Sequence, residues 1–194
     1  FLLRGAKAAA AIAAAGFAAR TFRDPAGPPA VSRSEPLVGL PDFSIPEQAG
    51  KLAIATGANR VRTLRAAMDA LGGMGQFVER GDRVILKINA GFSTPPILSA
   101  TTHPDLVSEV VRLCLAAGAS AVMVMDNPVN DPVSSFELSG IAGAARAAGA
   151  AVILPQANLF RPVTLPGGEF IREWPFFSVP LEGATKLLGL APVK

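Results

Sequence analysis

Residues 83–104 read RVILKINAGFSTPPILSATTHP, and the fold follows from how this stretch begins and ends. Val84, Ile85, Leu86 and Ile88 make a nearly continuous apolar run over 83–89, the pattern of a parallel strand buried on both faces. Lys87 interrupts the run and Asn89 closes it. A Pro-containing loop then leads through Thr101, Thr102 and His103 to Pro104, which suits the first position of a helix because its missing N–H costs nothing there. Across 104–117, Leu106, Val107, Val110, Val111, Leu113, Cys114 and Ala117 give a broad apolar stripe. Gly118 is a natural left-handed stop.

The same order recurs on both sides. Residues 121–125 (AVMVM) read as a strand ending in Asp126, Asn127 and Pro128. An Ala-rich helix is expected over 134–148, with Phe136, Leu138, Ile141 and Ala145 inward, stopped by Gly149 before a strand at 151–154. Upstream, 51–56 (KLAIAT) reads as a first strand and 60–71 as a helix whose Val61, Leu64, Ala67, Met68 and Leu71 share one face. Gly72 and Gly73 end that helix, 74–78 form an irregular turn, and 80–82 turn into the strand at 83. Strands alternating with helices of this length predict an α/β domain: a mainly parallel, Rossmann-like sheet in three layers, with right-handed crossovers. The tail differs. Residues 160–165 alternate apolar and polar, 166–168 make a turn, and the apolar, aromatic 169–181 is broken by Pro175 and Pro180, so a C-terminal hairpin or meander is expected there. A further strand follows at 186–191, and Trp174, the only tryptophan, reads as packing.

Composition narrows the function. The 194 residues are 50% hydrophobic and 17% charged, the balance of a globular chain. The net charge of +3 is small and the basic residues are scattered, so nucleic acid is not an expected partner. A single cysteine excludes an internal disulfide and a four-thiolate iron–sulfur or zinc site within this chain; Cys114 reads as a small core residue. No cofactor is expected in the chain itself, and its metal content is left open. No glycine-rich phosphate loop, nucleophile elbow or zincin motif occurs.

Residues 1–19 (FLLRGAKAAAAIAAAGFAA) combine two basic residues with an Ala-rich run too short and too weakly apolar for a membrane span, which needs ~20 mostly apolar residues. They read as the n- and h-regions of an export signal, with an Ala-rich helix packing on the domain as the alternative. The opening Phe-Leu-Leu and low hydrophobicity resemble the twin-arginine type, which would place the folded protein in the periplasm or another extracytoplasmic space. Residues 20–50 hold six prolines and no periodicity, as a linker does. The domain is expected over 51–194, and both ends of the chain read as cut.

In open parallel sheets, ligands bind where strands end and helices begin. That edge would gather Lys87 and Asn89, then Thr101, Thr102 and His103, then Asp126 and Asn127. Free N–H groups at a helix start, with Lys87 nearby, favour a small anion such as a carboxylate or phosphate. Each residue has a plainer reading: Thr102 as a helix cap, His103 as a polar turn residue, Lys87 as an exposed strand end, Asp126 as a turn residue or the partner of Lys87. A metal site from His103, Asp126 and Asp131 is a further arrangement that the spacing does not single out.

The run ALGGMGQFVERGDRVILKINAGF, with TTHPDLVSEVVRLCLAAGASAVMVMDNP after it, resembles the DUF362 family, a domain of unknown function often found in exported prokaryotic proteins. The resemblance covers roughly 51–194. The family's lysine, proline and asparagine after the second strand meet Lys87, Ile88 and Asn89 here, so the proline is not matched. Thr102, His103, Pro104 and Asp126 match, and Pro192 and Lys194 resemble the family's Pro-x-Lys at a strand end, which marks Lys194 as a further ligand-binding candidate. The resemblance implies twin-arginine leaders in several relatives and ferredoxin-type modules in some, but no established reaction. Two readings follow. One is an enzyme domain acting on a small anionic metabolite, with Lys87, His103 and Asp126 catalytic in one pocket. The other is a noncatalytic accessory module beside an iron–sulfur or redox partner.

Overall fold

The computed structural model describes residues 2–21, 41–164, 170–171 and 173–192. The chain divides into two units, 1–36 and 37–194. In the first, α1 (Leu2–Thr21) covers the Ala-rich run as a helix. Its Ile12 and Phe17 are exposed. No helix among the described residues is long and apolar enough to cross a membrane. Of the Pro-rich stretch, 22–40 lie outside the described residues; 41–45 are irregular and Pro46–Gln48 forms a 3₁₀ turn.

The second unit is an α/β domain. In chain order it comprises α2 (Arg60–Ala70), β1 (Arg83–Ile88), α3 (Pro104–Ala116), β2 (Ala121–Met125), α4 (Pro132–Leu138), α5 (Ile141–Ala147), β3 (Ala151–Ile153), β4 (Arg161–Thr164), β5 (Glu173–Phe176) and β6 (Lys186–Leu190). The main sheet runs β3-β2-β1-β6 with every pair parallel, and β4-β5 form a separate antiparallel hairpin. Alternate residues of β1 divide the core. Val84, Leu86 and Ile88 pack with Val107, Val111 and Cys114 of α3 and Phe136, Ile141 and Ala145 of α4 and α5. Ile85 faces the other way, toward Phe177, Leu181 and Met125, with Phe160 beside them. The three layers are therefore helices, sheet, and the hairpin with its flanking turns. Each fully buried Val, Leu or Ile adds about 1.5–3 kcal/mol, so the all-apolar part of β1 fixes the centre.

Threonine hydroxyls clasp β1 to β6 at both ends. At the start, Thr185 Oγ1 accepts the Arg83 N–H at 2.9 Å and donates to Asp82 Oδ1 at 2.6 Å. At the exit, Thr102 Oγ1 accepts the Asn89 N–H at 2.9 Å and donates to the Leu190 carbonyl at 2.7 Å.

Four expectations change. KLAIAT at 51–56 is not a strand: a strand needs a ladder partner, and this segment pairs with none of the described strands. Leu52 and Ile54 consequently stay exposed. The helix expected over 134–148 is two, α4 and α5, broken at Gly140, whose φ of 72° is left-handed. Leu138, expected inward, is exposed beside that break. Trp174, expected to pack, leaves 52% of its surface exposed.

Candidate functional site

The carboxyl edge of the sheet carries the polar residues expected there, on two sides rather than one. Register pairs Lys87 with Met125, so the Lys87 side chain leaves β1 toward the hairpin layer, next to the exit of β2. Its Nζ lies 2.9 Å from Asp126 Oδ1. Asp126 is buried, and its other oxygen accepts the Ala90 N–H at 2.6 Å. The carboxylate thus ties the β1–α3 loop to β2 and holds the ammonium in place. Lys87 itself is 56% exposed, and an ammonium has three donors, of which Asp126 takes one. Lys87, Asp126 and Asn127 line a cavity of about 270 Å³ whose wall is Trp174, Phe176 and Phe177 from β5 and its exit. Phe177 is fixed by stacking on Phe160, ring centroids 5.3 Å apart.

His103 and its neighbours open elsewhere. Thr101, Thr102 and His103 line a smaller cavity of about 150 Å³, together with Arg60 of α2 and Pro192 beyond β6. His103 is the N-cap of α3: its Nδ1 lies 3.2 Å from the Asp105 N–H. The cap is therefore His103, not Thr102, whose hydroxyl is spent on the β1–β6 clasp. Nε2 of His103 faces Arg60 Nη1 at 2.9 Å, and Asp105 Oδ2 stands 3.5 Å from both Arg60 and Nδ1. Burial, then the charge of Arg60, hold the imidazole below its ordinary range, against the opposing pull of Asp105.

Of the expected site residues, Lys87, Asp126 and Asn127 therefore share one cavity, and Thr101, Thr102 and His103 another. Asn89 lines neither; its Oδ1 accepts the Gly91 N–H at 3.3 Å and its backbone joins the Thr102 clasp. Lys194 lies outside the described residues. His103, Asp126 and Asp131 do not gather for a metal: Asp131 caps α4 through Ser134, and no group of three or more potential ligands occurs among the described residues. Cys114 is fully buried in the core, and burial pushes its thiol up to about 12. Trp174, read from the sequence as packing, lines the Lys87 cavity, and Arg60 was not singled out from the sequence. Arg60 did leave a signal, because it opens a helix that has no acidic residue in its first turn, where the dipole disfavours a cation.

These features define a class: a parallel α/β domain with small-molecule-sized crevices at the carboxyl ends of its strands, where such folds take ligands. More narrowly, the chain belongs to the family described as a domain of unknown function, DUF362, which matches residues 84–194, more than half of its length. It is also similar to the thylakoid-associated protein sll1697 of Synechocystis sp. (strain ATCC 27184 / PCC 6803 / Kazusa), with 41% identity over 61 residues, which are 31% of this chain and 19% of that protein. The match thus spans about a fifth of the relative. No solved structure matches the chain.

Proposed function

We propose that the domain binds a small anionic molecule with a flat or apolar body in the cavity between Lys87 and Trp174. The observation that carries this reading is the Lys87 ammonium, half-exposed at an aromatic-walled cavity and anchored by the buried Asp126 at 2.9 Å. Two unspent donors on Lys87 meet a carboxylate or phosphate oxygen, and Asn127 supplies a neutral polar group beside them. Trp174 and Phe176 offer faces for the body of the ligand. Any chemistry on that ligand falls to Lys87 and Asp126 as the contacting pair, while His103 belongs to the separate cavity. We infer an extracytoplasmic or membrane-associated setting from two supports: the basic, Ala-rich start of the chain and the thylakoid association in the name of the relative.

The chain has one tryptophan and no tyrosine, so its ultraviolet emission comes from Trp174 alone. Benzoate and naphthoate should quench that emission saturably, whereas cyclohexylamine should not. Lys87→Met should weaken the anions about tenfold, the worth of a charge-assisted hydrogen bond of ~1.5 kcal/mol, and Lys87→Arg should retain them. Absence of a saturable change with either anion, or unchanged affinity in Lys87→Met, rejects the proposal.

A further inference from the structure

The smaller cavity, at the start of α3, has more hydrogen-bond donors than acceptors. Thr101 is 3% exposed, and its hydroxyl lines up with no partner among the described residues. Buried hydroxyls are rarely left so. Its neighbour Thr102 offers nothing in exchange, since both functions of that hydroxyl are engaged. Both nitrogens of His103 face donors, the Asp105 N–H at Nδ1 and the Arg60 guanidinium at Nε2. A neutral imidazole has one lone pair to give, so one of those two donors goes without. Asp105 stands 3.5 Å from Arg60, too far for a tight fork, and the guanidinium remains about half-exposed.

The first turn of α3 adds no free N–H group to these donors. The Asp105 N–H points at His103, and the Leu106 and Val107 N–H groups bond to the His103 carbonyl at 3.0 and 3.3 Å. What the cluster lacks is a set of acceptors placed between Arg60 and Thr101. We propose that this cavity is a second ligand site, separate from the one at Lys87, which takes a small oxyanion (a carboxylate, sulfate or phosphate group) on the Arg60 fork and the Thr101 hydroxyl. Its volume of about 150 Å³ admits a group of a few heavy atoms, and Pro96, Leu106, Leu190 and Pro192 close it to a bulky one. Engaging Arg60 with an anion frees His103 Nε2 and offsets the charge that disfavours the imidazolium, so binding and protonation of His103 reinforce each other.

His103 is the only histidine, so in untagged protein its two ring C–H resonances report this cavity alone. Sodium sulfate and sodium acetate are titrated against sodium chloride at matched ionic strength. A saturable shift of the His103 signals with sulfate or acetate and not chloride, together with an upward move of the imidazole titration, is the expected result. Arg60→Met, at a half-exposed position, should abolish the response with Trp174 emission unchanged. The near-isosteric Thr101→Val should weaken it about fivefold, the loss of one ordinary hydrogen bond. The proposal is overturned by no saturable response to either anion, or by a full response in Arg60→Met. A response that tracks Trp174 quenching with the same midpoint also overturns it, because the ligand then sits at Lys87.

Discussion

At the residue scale, Asp126 does two jobs with one carboxylate: it accepts the buried Ala90 N–H and it steadies Lys87. Asp126→Ala strands that N–H, at a cost of about 1–3 kcal/mol, and releases the ammonium. Urea unfolding should show the loss, and Lys87→Met, which leaves the Ala90 bond in place, should weaken benzoate binding about tenfold without reproducing the full loss of stability. His103 gives a pH dependence of definite sign. Its folded pKa lies below the ordinary 6.5 because of burial and Arg60, so the unfolded chain binds the extra proton more readily. Its contribution to stability is whole above pH 6.5 and drains away as the pH falls from there toward the folded value. Asp82 adds a loss of the same direction lower down: burial raises its pKa, but the hydrogen bonds from Thr185 and the Glu79 N–H, helped by Lys186, outweigh burial and leave it below 3.8. Thermal melts of His103→Gln should lack the upper of the two losses and keep the lower.

At the scale of elements, the hairpin stands apart from the main sheet. β4 and β5 pair only with each other, place Pro162 opposite Pro175, and expose every residue of β5. A two-stranded hairpin is marginal by itself, and this one is held to the domain through Phe177 and Phe160, which pack with Ile85 and Met125. Limited proteolysis should therefore cut within 160–178 before it cuts the sheet, and an anion that binds at Lys87 should slow that cut. Gly118 illustrates the opposite case, a tight joint. It ends α3 with a φ of 104°, and a Cβ there would meet Arg80 Cα at 3.0 Å. Gly118→Ala should cost at least about 1–2 kcal/mol from the left-handed backbone alone, measured by denaturant melts. Most of these elements were legible beforehand. The apolar run of 83–88, the Pro-started helix at 104 and AVMVM at 121–125 each carry their period in consecutive residues. KLAIAT misled because pairing is not a property of the segment that pairs. The break at Gly140 was hidden because the apolar residues on either side of it, Phe136 and Leu138 before and Ile141 and Ala145 after, read as the inward face of one helix.

At the scale of the whole molecule, Cys114 sits in the largest cluster of buried side chains, with its thiol protonated at any neutral pH. Thiol labelling should be negligible in the native protein and should become complete with a midpoint that coincides with global unfolding. An earlier midpoint would show that α3 leaves the sheet separately. The site was legible only as an edge. Topology places strand exits and helix starts together, and that was enough to group Lys87, His103 and Asp126. Which side of the sheet each one takes depends on the parity of its strand and on what covers that face, and the sequence of one segment carries neither. Trp174 shows the same limit, since its exposure depends on where the hairpin lies.

The β1–β6 pairing has a consequence for how the chain is made. Arg83 and Thr185, joined by the clasp at the start of the two strands, are 102 positions apart. β2 and β3 emerge from the ribosome long before β6, so the nascent sheet waits with one edge of its most apolar strand bare. From the end of β2 at Met125 to the start of β6 at Lys186, at about 5–20 residues per second, that wait lasts roughly 3–12 s. For that interval Val84, Leu86 and Ile88 have α3 above them and no neighbour on one side, which is the geometry a holdase chaperone captures and a second nascent copy can mispair with. The protein's vulnerable moment is therefore the interval between the making of β2 and of β6, and faster elongation through 126–185 would shorten it.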